Sequence, residues 1–381
     1  HKKKMKKAKI AHILNSVGGV DVSLRLILKN IDSEKFENIV IHGKDDTSKA
    51  FENKVGDIIK SYKLNIFRNI NFFNDFSALY QSYRILKKEN PHLIHAHSAK
   101  GGVLGRLLGV LLNIPVFYTP QAFSYLSTQN KIKQKIYLFI ERILINKNNY
   151  IIASSKSEMN RAILEVRYPE ANVFLFNNCI NPIQLNNTTE ENKYNLPQNF
   201  ISTIGRPCYQ KNIELMIDVF EEVVKSTNCH LVIMGVGLHS DHLESVKNKI
   251  NLKNLNKQVT LIDWIDRDNA LKILTKSKIY ISTARYEGLP FSIIEAMALK
   301  KALVVSDCDG NRDLVKENKN GFIIKNENVT DFKEKIIDLL LNNEKRELFE
   351  QESYNLYQAS FNIENNINQL ENIYNKVLVK N

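Results

Sequence analysis

The sequence predicts an α/β protein of two domains, each built on a parallel, doubly wound sheet. Three observations carry this. A chain of 381 residues is long enough for two domains with substantial cores. Short β-rich runs alternate with longer stretches of helical periodicity, the pattern of strands joined by crossover helices. The alternation then restarts after a polar interval at 184–199, where five Asn and two Thr leave little to bury.

Residues 8–15 read as the first strand. Gly18 and Gly19 then form a tight turn over 17–20, followed by a helix over 22–31. Residues 38–41 and 92–96 read as strands, the second followed by Gly101-Gly102 and a helix to Leu112. Strands follow at 116–119 and 150–155, with Ser155 or Ser157 capping the next helix. The second series places strands at 200–204, 230–234, 259–262, 278–284 and 303–306. A final helix over 363–379 has no strand after it. The predicted boundaries are therefore 1–183 for the first domain, 184–199 for the linker, 200–362 for the second domain and 363–381 for the closing helix.

Composition excludes several classes. A hydrophobic content of 43% and an aromatic content of 9% fit a folded soluble protein rather than a disordered one. Cys179, Cys208, Cys229 and Cys308 form no Cys-x-x-Cys pair, which argues against a zinc site or disulfide framework and fits a reducing cytoplasm. The basic start contains Met5, the expected natural start, and runs into the first strand without a signal-peptide apolar region. The longest apolar stretch, 103–118, is broken by Arg106, Asn113 and Pro115, so no membrane span is expected. Charge is unevenly divided. Residues 1–180 hold 28 Lys+Arg against 14 Asp+Glu, so the entire net charge of +12 and slightly more lies in the first half. Nucleic acid, an anionic membrane surface or a phosphorylated substrate would each suit such a half.

The most informative segment is 284–298. A β-rich run ends at Gly288 and Pro290, and Pro290 fits the first position of a helix reaching Leu299. The N-terminus of such a helix offers free N–H groups and a positive dipole end to a phosphate. Glu287 lies in the loop beside it and Glu295 in the second helical turn, eight positions on. Two carboxylates flanking an anion site suit a diphosphate carrying hydroxyl groups on both sides.

Glu287 to Glu295 resembles the Glu-x7-Glu motif of retaining glycosyltransferases of family 4. Gly205-Arg206 and Gln210-Lys211 resemble the phosphate clamp of that family, and Gly310-Asn311-Arg312-Asp313 its following glycine turn. The three blocks keep the family order. The resemblance implies the GT-B fold: two Rossmann-like domains facing a central cleft, with the C-terminal helix crossing back to the first. It implies that Arg206 and Lys211 bind the leaving diphosphate, that Glu295 accepts the ribose hydroxyls, and that Glu287 holds donor-sugar hydroxyls. Gly205, Gly288, Leu289, Pro290 and Phe291 would complete the donor cradle, and Gly18-Gly19 would face the diphosphate. Ile265, in the segment with Asp263 and Trp264, would lie by the base. His97 and Lys100, after the strand at 92–96, would serve the acceptor or line the cleft, together with Gln121 and Phe123. Relatives carry His where this chain has Gln121, and Gln cannot carry a proton. The implied enzyme is a metal-independent retaining transferase. It would move a hexose or N-acetylhexosamine from a nucleotide-sugar, UDP-linked, to a lipid-linked or surface-glycan acceptor, with no cofactor.

Two Asp-x-Asp pairs, Asp266/Asp268 and Asp307/Asp309, have metal-ligand chemistry; the first is read as a helix cap and the second as part of the glycine turn. The basic, apolar helix at 131–147 and the segment with Phe67, Arg68, Phe72, Phe73 and Phe76 suit an anionic leaflet, but the first is read rather as a core helix with a lysine-rich outer face; the expected location is the cytoplasm, or peripherally the cytoplasmic face of the inner membrane. Alternatives are a UDP-sugar epimerase of the same architecture, a basic nucleic-acid-binding protein, or a descendant that has lost activity.

Overall fold

The structure is a computed structural model and describes residues 7–15, 17–66, 72–185, 194–237, 240–263 and 265–379. Met5, Phe67, Arg68, Trp264 and most of the expected linker lie outside the described residues. The chain divides into two compact units, one of residues 1–181 with 363–381, the other of residues 182–362.

The first unit contains β1 (Ala8–Leu14), α1 (Gly18–Asn30), β2 (Phe36–Gly43), β3 (Ser61–Leu64), α2 (Phe72–Glu89), β4 (Leu93–His97), α3 (Ser98–Leu112), β5 (Val116–Thr119), α4 (Lys131–Ile143), β6 (Asn149–Ala153), α5 (Lys156–Arg161) and β7 (Val173–Leu175). Its seven strands pair in parallel in the order β3-β2-β1-β4-β5-β6-β7. Strand side chains alternate between faces, and the register shows which helix covers which face. Ala96 pairs with Tyr118, and both lie on the side where Ala78, Leu104 and Leu108 of α2 and α3 are buried. Tyr118 continues that side into the cluster packed against Tyr137 and Leu138 of α4. Phe117 lies on the opposite side, against Ile27 of α1.

The second unit contains β8 (Phe200–Ile204), α6 (Ile213–Val224), β9 (His230–Val236), α7 (Leu243–Leu252), β10 (Val259–Asp263), α8 (Arg267–Lys276), β11 (Ile279–Ser282), α9 (Phe291–Ala298), β12 (Ala302–Ser306), α10 (Asp309–Leu314), β13 (Gly321–Ile324), α11 (Val329–Leu341) and α12 (Asn343–Ser360). Its six-stranded sheet has the order β10-β9-β8-β11-β12-β13. The last helix, α13 (Ile363–Leu378), buries Ile363, Ile367, Leu370, Ile373, Tyr374 and Val377 among the side chains of the first unit.

Several expectations are corrected. Gly18 and Gly19 open α1 instead of forming a turn before it. Gly18 has φ of +57°, which favours glycine, so the chain turns and enters the helix at once. Gly101 and Gly102 lie within α3: a Cβ on Gly101 would meet the Ile13 carbonyl at 2.6 Å and one on Gly102 the Tyr118 ring at 2.3 Å. They seat the helix on the sheet. Pro290 is the N-cap of α9, one position earlier than expected. Ser155 is the cap of α5, accepting from the Glu158 N–H at 3.1 Å. The short strands β3, β7 and β13 had no alternation long enough to read.

Candidate active site

In open α/β sheets, ligand sites form beyond the carboxyl ends of the strands. In the second unit that edge gathers the motif residues. After β8 the chain passes through buried Gly205 and half-buried Arg206, then turns at Asn212, whose φ of 50° puts it in the left-handed region. Thr283 donates from Oγ1 to the Lys211 and Asn212 carbonyls at 3.1 and 2.9 Å, fixing this loop to the end of β11. The loop after β11 is clamped in turn. The Arg285 N–H donates to the Gln210 carbonyl at 2.8 Å, and its guanidinium lies 4.5 Å from the Tyr209 ring centre.

Lys211 and Glu287 therefore meet. Lys211 Nζ lies 2.6 Å from Glu287 Oε1, and Gln210 Nε2 donates to Glu287 Oε2 at 3.2 Å. Burial pulls the Lys211 ammonium down, but the Glu287 carboxylate together with Tyr280 and Cys208 more than offsets this and leaves its pKa above the ordinary lysine value. Among the described residues Arg206 has no ion-pair partner, so one cation at this edge is bound and one is available. Gly288 and Leu289 lead to Pro290, and no side chain caps α9. The Ile293 and Ile294 N–H groups donate to the Pro290 carbonyl at 3.2 and 3.3 Å, which leaves those of Phe291 and Ser292, among the described residues, to meet an anion. From α10, Gly310 backs this loop; a Cβ there would lie 2.5 Å from the Gly288 carbonyl oxygen.

Glu295 is buried one turn further along α9. Burial raises its pKa above the usual glutamate value, against the opposing pull of Arg267, whose Nε lies 2.6 Å from Oε1. Sequence reading missed Arg267 as a partner because it looked like part of an acidic cap. Asp266 is indeed that cap, accepting from the Asn269 N–H at 3.0 Å. Ile265 lies half-buried just beyond β10. Asp307 and Asp309 are both held by Arg312, which accounts for them without a metal.

The first unit gives a mixed result. Gly18 and Gly19 are exposed beyond the carboxyl end of β1. Lys100 pairs with Asp75 at 2.6 Å. Gln121 and Ala122 both have left-handed φ, 53° and 77°, an uncommon pair for side-chain-bearing residues. Buried Glu158 holds this loop, accepting from the Ala122 N–H at 2.7 Å and the Ser154 N–H at 2.6 Å. The Gln121 Nε2 is buried with no partner among the described residues. Glu158 was visible in the sequence only as a first-turn helix acid.

Two expectations here are corrected. Phe123 is a core residue, stacked on Tyr125 with ring centres 5.7 Å apart. His97 is fully buried, because alternation along β4 turns His95 and His97 to the side covered by α13. There they join His12, which pairs with His95 in the sheet. These three are, among the described residues, the one group whose ligand atoms lie close enough for a metal. Their hydrogen bonds favour another reading. His95 is held by the Tyr374 hydroxyl at 2.7 Å and Thr119 Oγ1 at 2.9 Å. Asn38 Oδ1 accepts from His12 Nε2 at 3.1 Å, so His12 Nδ1 accepts from His97 Nε2 at 3.0 Å. A metal would have to break these bonds. Burial lowers all three pKa values, that of His12 to about 4, so the stack is neutral near pH 7.

Comparison with known proteins agrees with this geometry. Residues 186–356 match the family described as Glycosyl transferases group 1, and residues 17–184 match Glycosyltransferase Family 4. The chain belongs to the GT-B glycosyltransferases. Among its relatives is the Escherichia coli UDP-Gal:alpha-D-GlcNAc-diphosphoundecaprenol alpha-1,3-galactosyltransferase, 26% identical over 82% of each chain. The Staphylococcus aureus capsular polysaccharide biosynthesis glycosyltransferase CapM is 25% identical over 98% of each. Among solved structures, Anabaena HepE in complex with UDP and glucose superposes with a TM-score of 0.81 at 15% identity, covering 97% of this glycosyltransferase and 100% of HepE. Sucrose-phosphate synthase from Thermosynechococcus elongatus gives 0.82 at 16% identity, covering 98% and 100%. Neither matched family supports the nucleic-acid-binding alternative. Among the described residues no helix is long and apolar enough to cross a membrane.

Proposed function

We propose that this glycosyltransferase transfers a hexose or N-acetylhexosamine from a UDP-sugar to a lipid-linked or surface-glycan acceptor, with retention at the anomeric carbon and without a metal. The observation that carries the reading is the Lys211–Glu287 pair beside the uncapped start of α9, with Arg206 at the same edge. These groups supply a diphosphate with cations and N–H donors, and its sugar with a carboxylate. The donor base is supported by HepE, solved with UDP, and the acceptor class by the diphosphoundecaprenol of the galactosyltransferase. A lipid-linked acceptor would place the enzyme peripherally on the inner face of the membrane.

In the reaction the bond from the anomeric carbon to the β-phosphate oxygen breaks while the acceptor oxygen bonds to the same face. The acceptor proton passes to the departing phosphate oxygen, and UDP leaves. Arg206, Lys211 and the α9 N–H groups stabilise the charge that develops on the diphosphate. Glu287 orients the sugar hydroxyls and Glu295 those of the ribose. Gln121 can donate a hydrogen bond at its position but cannot act as an acid.

The test is incubation with UDP-sugars and an undecaprenyl-diphosphate-linked sugar, with the product anomer assigned by NMR. The reading requires UDP release only with acceptor, an α-linked product from an α-linked donor, and unchanged rate in chelator. UDP-sugar turnover without acceptor would favour the epimerase, and an activity lost to chelator and restored by Mn or Mg would overturn the metal-independent mechanism.

A further inference from the structure

Glu295 stands where burial works against it. It is the one acid of α9, set among Ile293, Ile294, Ala296 and Met297, all of them buried. Its own side chain is only 11% exposed. An apolar side chain would pack there without the cost of taking a carboxylate out of water. Among the described residues one side chain bonds it: Arg267 donates from Nε to Glu295 Oε1 at 2.6 Å.

Packing does not account for Arg267. Its side chain is 52% exposed, so the core does not depend on its volume. It is the first residue of α8, behind the Asp266 cap, where the free N–H groups of a helix disfavour a cation. The pair therefore does little for α8, and its effect falls on Glu295. α9 packs against α8, α10 and α12. On α10 Arg312 is engaged by Asp307 and Asp309, and on α12 Arg346 by Glu350. Among the described residues Arg267 is the charged group that opposes the effect of burial on Glu295.

The chemistry of a ribose shows what this pair supplies. Both ribose hydroxyls donate hydrogen bonds, and an ionised carboxylate only accepts them. A protonated carboxyl carries an O–H of its own and gives up part of that acceptor capacity. Buried without a cation, Glu295 would take up a proton as the pH falls toward neutrality. A guanidinium on Oε1 opposes that protonation and fixes the side chain, and it leaves Oε2 outside the pair.

We infer that Arg267 is a positioning residue for the nucleotide: bonded to Glu295 Oε1, it keeps that carboxylate charged and oriented as the acceptor for the ribose hydroxyls. The inference deepens the proposed donor reading and rests on it for Glu295 as the ribose carboxylate.

The test is calorimetric titration of UDP into the full chain between about pH 8 and about pH 5, a range that spans the raised carboxylate values of buried sites. Wild type is compared with Arg267→Gln, Glu295→Gln and the double variant, and thermal melts check that each remains folded. Glutamine at 267 can still donate to Glu295 but carries no charge. Titration of the UDP phosphate is common to all four proteins and cancels in their affinity ratios. The expected result is that the affinity of Arg267→Gln relative to wild type falls by about tenfold or more from the top of the range to the bottom. In the Glu295→Gln background the same change should add no pH dependence. A ratio that is the same at every pH would overturn the inference, since Arg267 would then be a direct ligand or a packing residue. So would a pH-dependent ratio that persists without Glu295. GDP and ADP, which carry the same ribose, are titrated alongside. The expected pattern with one of them but not with UDP would sustain the inference and remove the uridine reading alone. UDP binding with a flat ratio would do the reverse, and no binding of any nucleotide would overturn both.

Discussion

The two units share an architecture but use it differently at the strand ends where ligands bind. In the second unit that edge collects charged side chains: Lys211 on Glu287, Arg267 on Glu295, and Arg206 nearby. In the first unit the corresponding residues turn inward. His97 joins a neutral imidazole stack, Phe123 enters the core, and the Gln121 loop is held in a strained form by Glu158. The second unit is organised to hold charge. The first is rigid beneath, with its basic surplus carried on the outside. A shared strand order over six strands does not imply equivalent chemistry; the side chains at the loop positions decide it.

The largest effect should come from breaking the rigidity of the first unit. The Arg106–Glu141 pair is almost wholly buried, with the Arg106 guanidinium over the Tyr118 ring at 4.3 Å. Glu141→Ala leaves an uncompensated buried cation and should cost about 3–5 kcal/mol in urea unfolding. A loss under about 1 kcal/mol would show that the pair is not structural. Glu287→Gln attacks the second unit's chemistry instead. It keeps a partner for Lys211, so the melting temperature should barely move while kcat falls about 10²–10³-fold. Comparable losses of stability and rate would mean that Glu287 is a structural residue.

A further effect separates the two units by pH. The three buried histidines have lowered pKa values, so the unfolded chain binds their protons more tightly than the folded one. Their stabilisation is complete above the unfolded value of about 6.5 and is lost as pH falls toward about 4, the value for His12. Each group contributes a slope of up to about 1.4 kcal/mol per pH unit in that window. The slope should flatten in His12→Gln. An unfolding free energy that is constant from pH 6.5 to 4 would show that the stack is not held neutral.

These contrasts explain what the sequence could reveal. The strand, turn and helix around Glu287 and Glu295 were legible because Gly288 and Pro290 punctuate them and the helix period follows at once. The Asp266 cap and the Ser155 cap were legible for the same local reason. The Arg267–Glu295 pair and the His12–His97 contact were not, because both arise from packing or sheet register between distant segments. The short strands β3, β7 and β13 carry too few residues for a period to show. Exposure of Ile132, Ile136, Phe139 and Ile143 on α4 was also hidden: a basic amphipathic helix packed in the core and one with an apolar stripe turned outward have the same sequence pattern.

The central claim is that the second unit's carboxylates and cations bind a uridine diphosphate. A thermal-shift panel of UDP, GDP and ADP on the wild-type chain and on Glu295→Ala tests it most directly. Ligand stabilisation grows with concentration over the dissociation constant. The account predicts a shift with UDP that exceeds the others and shrinks in the variant. No shift with any nucleotide, or an undiminished UDP shift in Glu295→Ala, would contradict it.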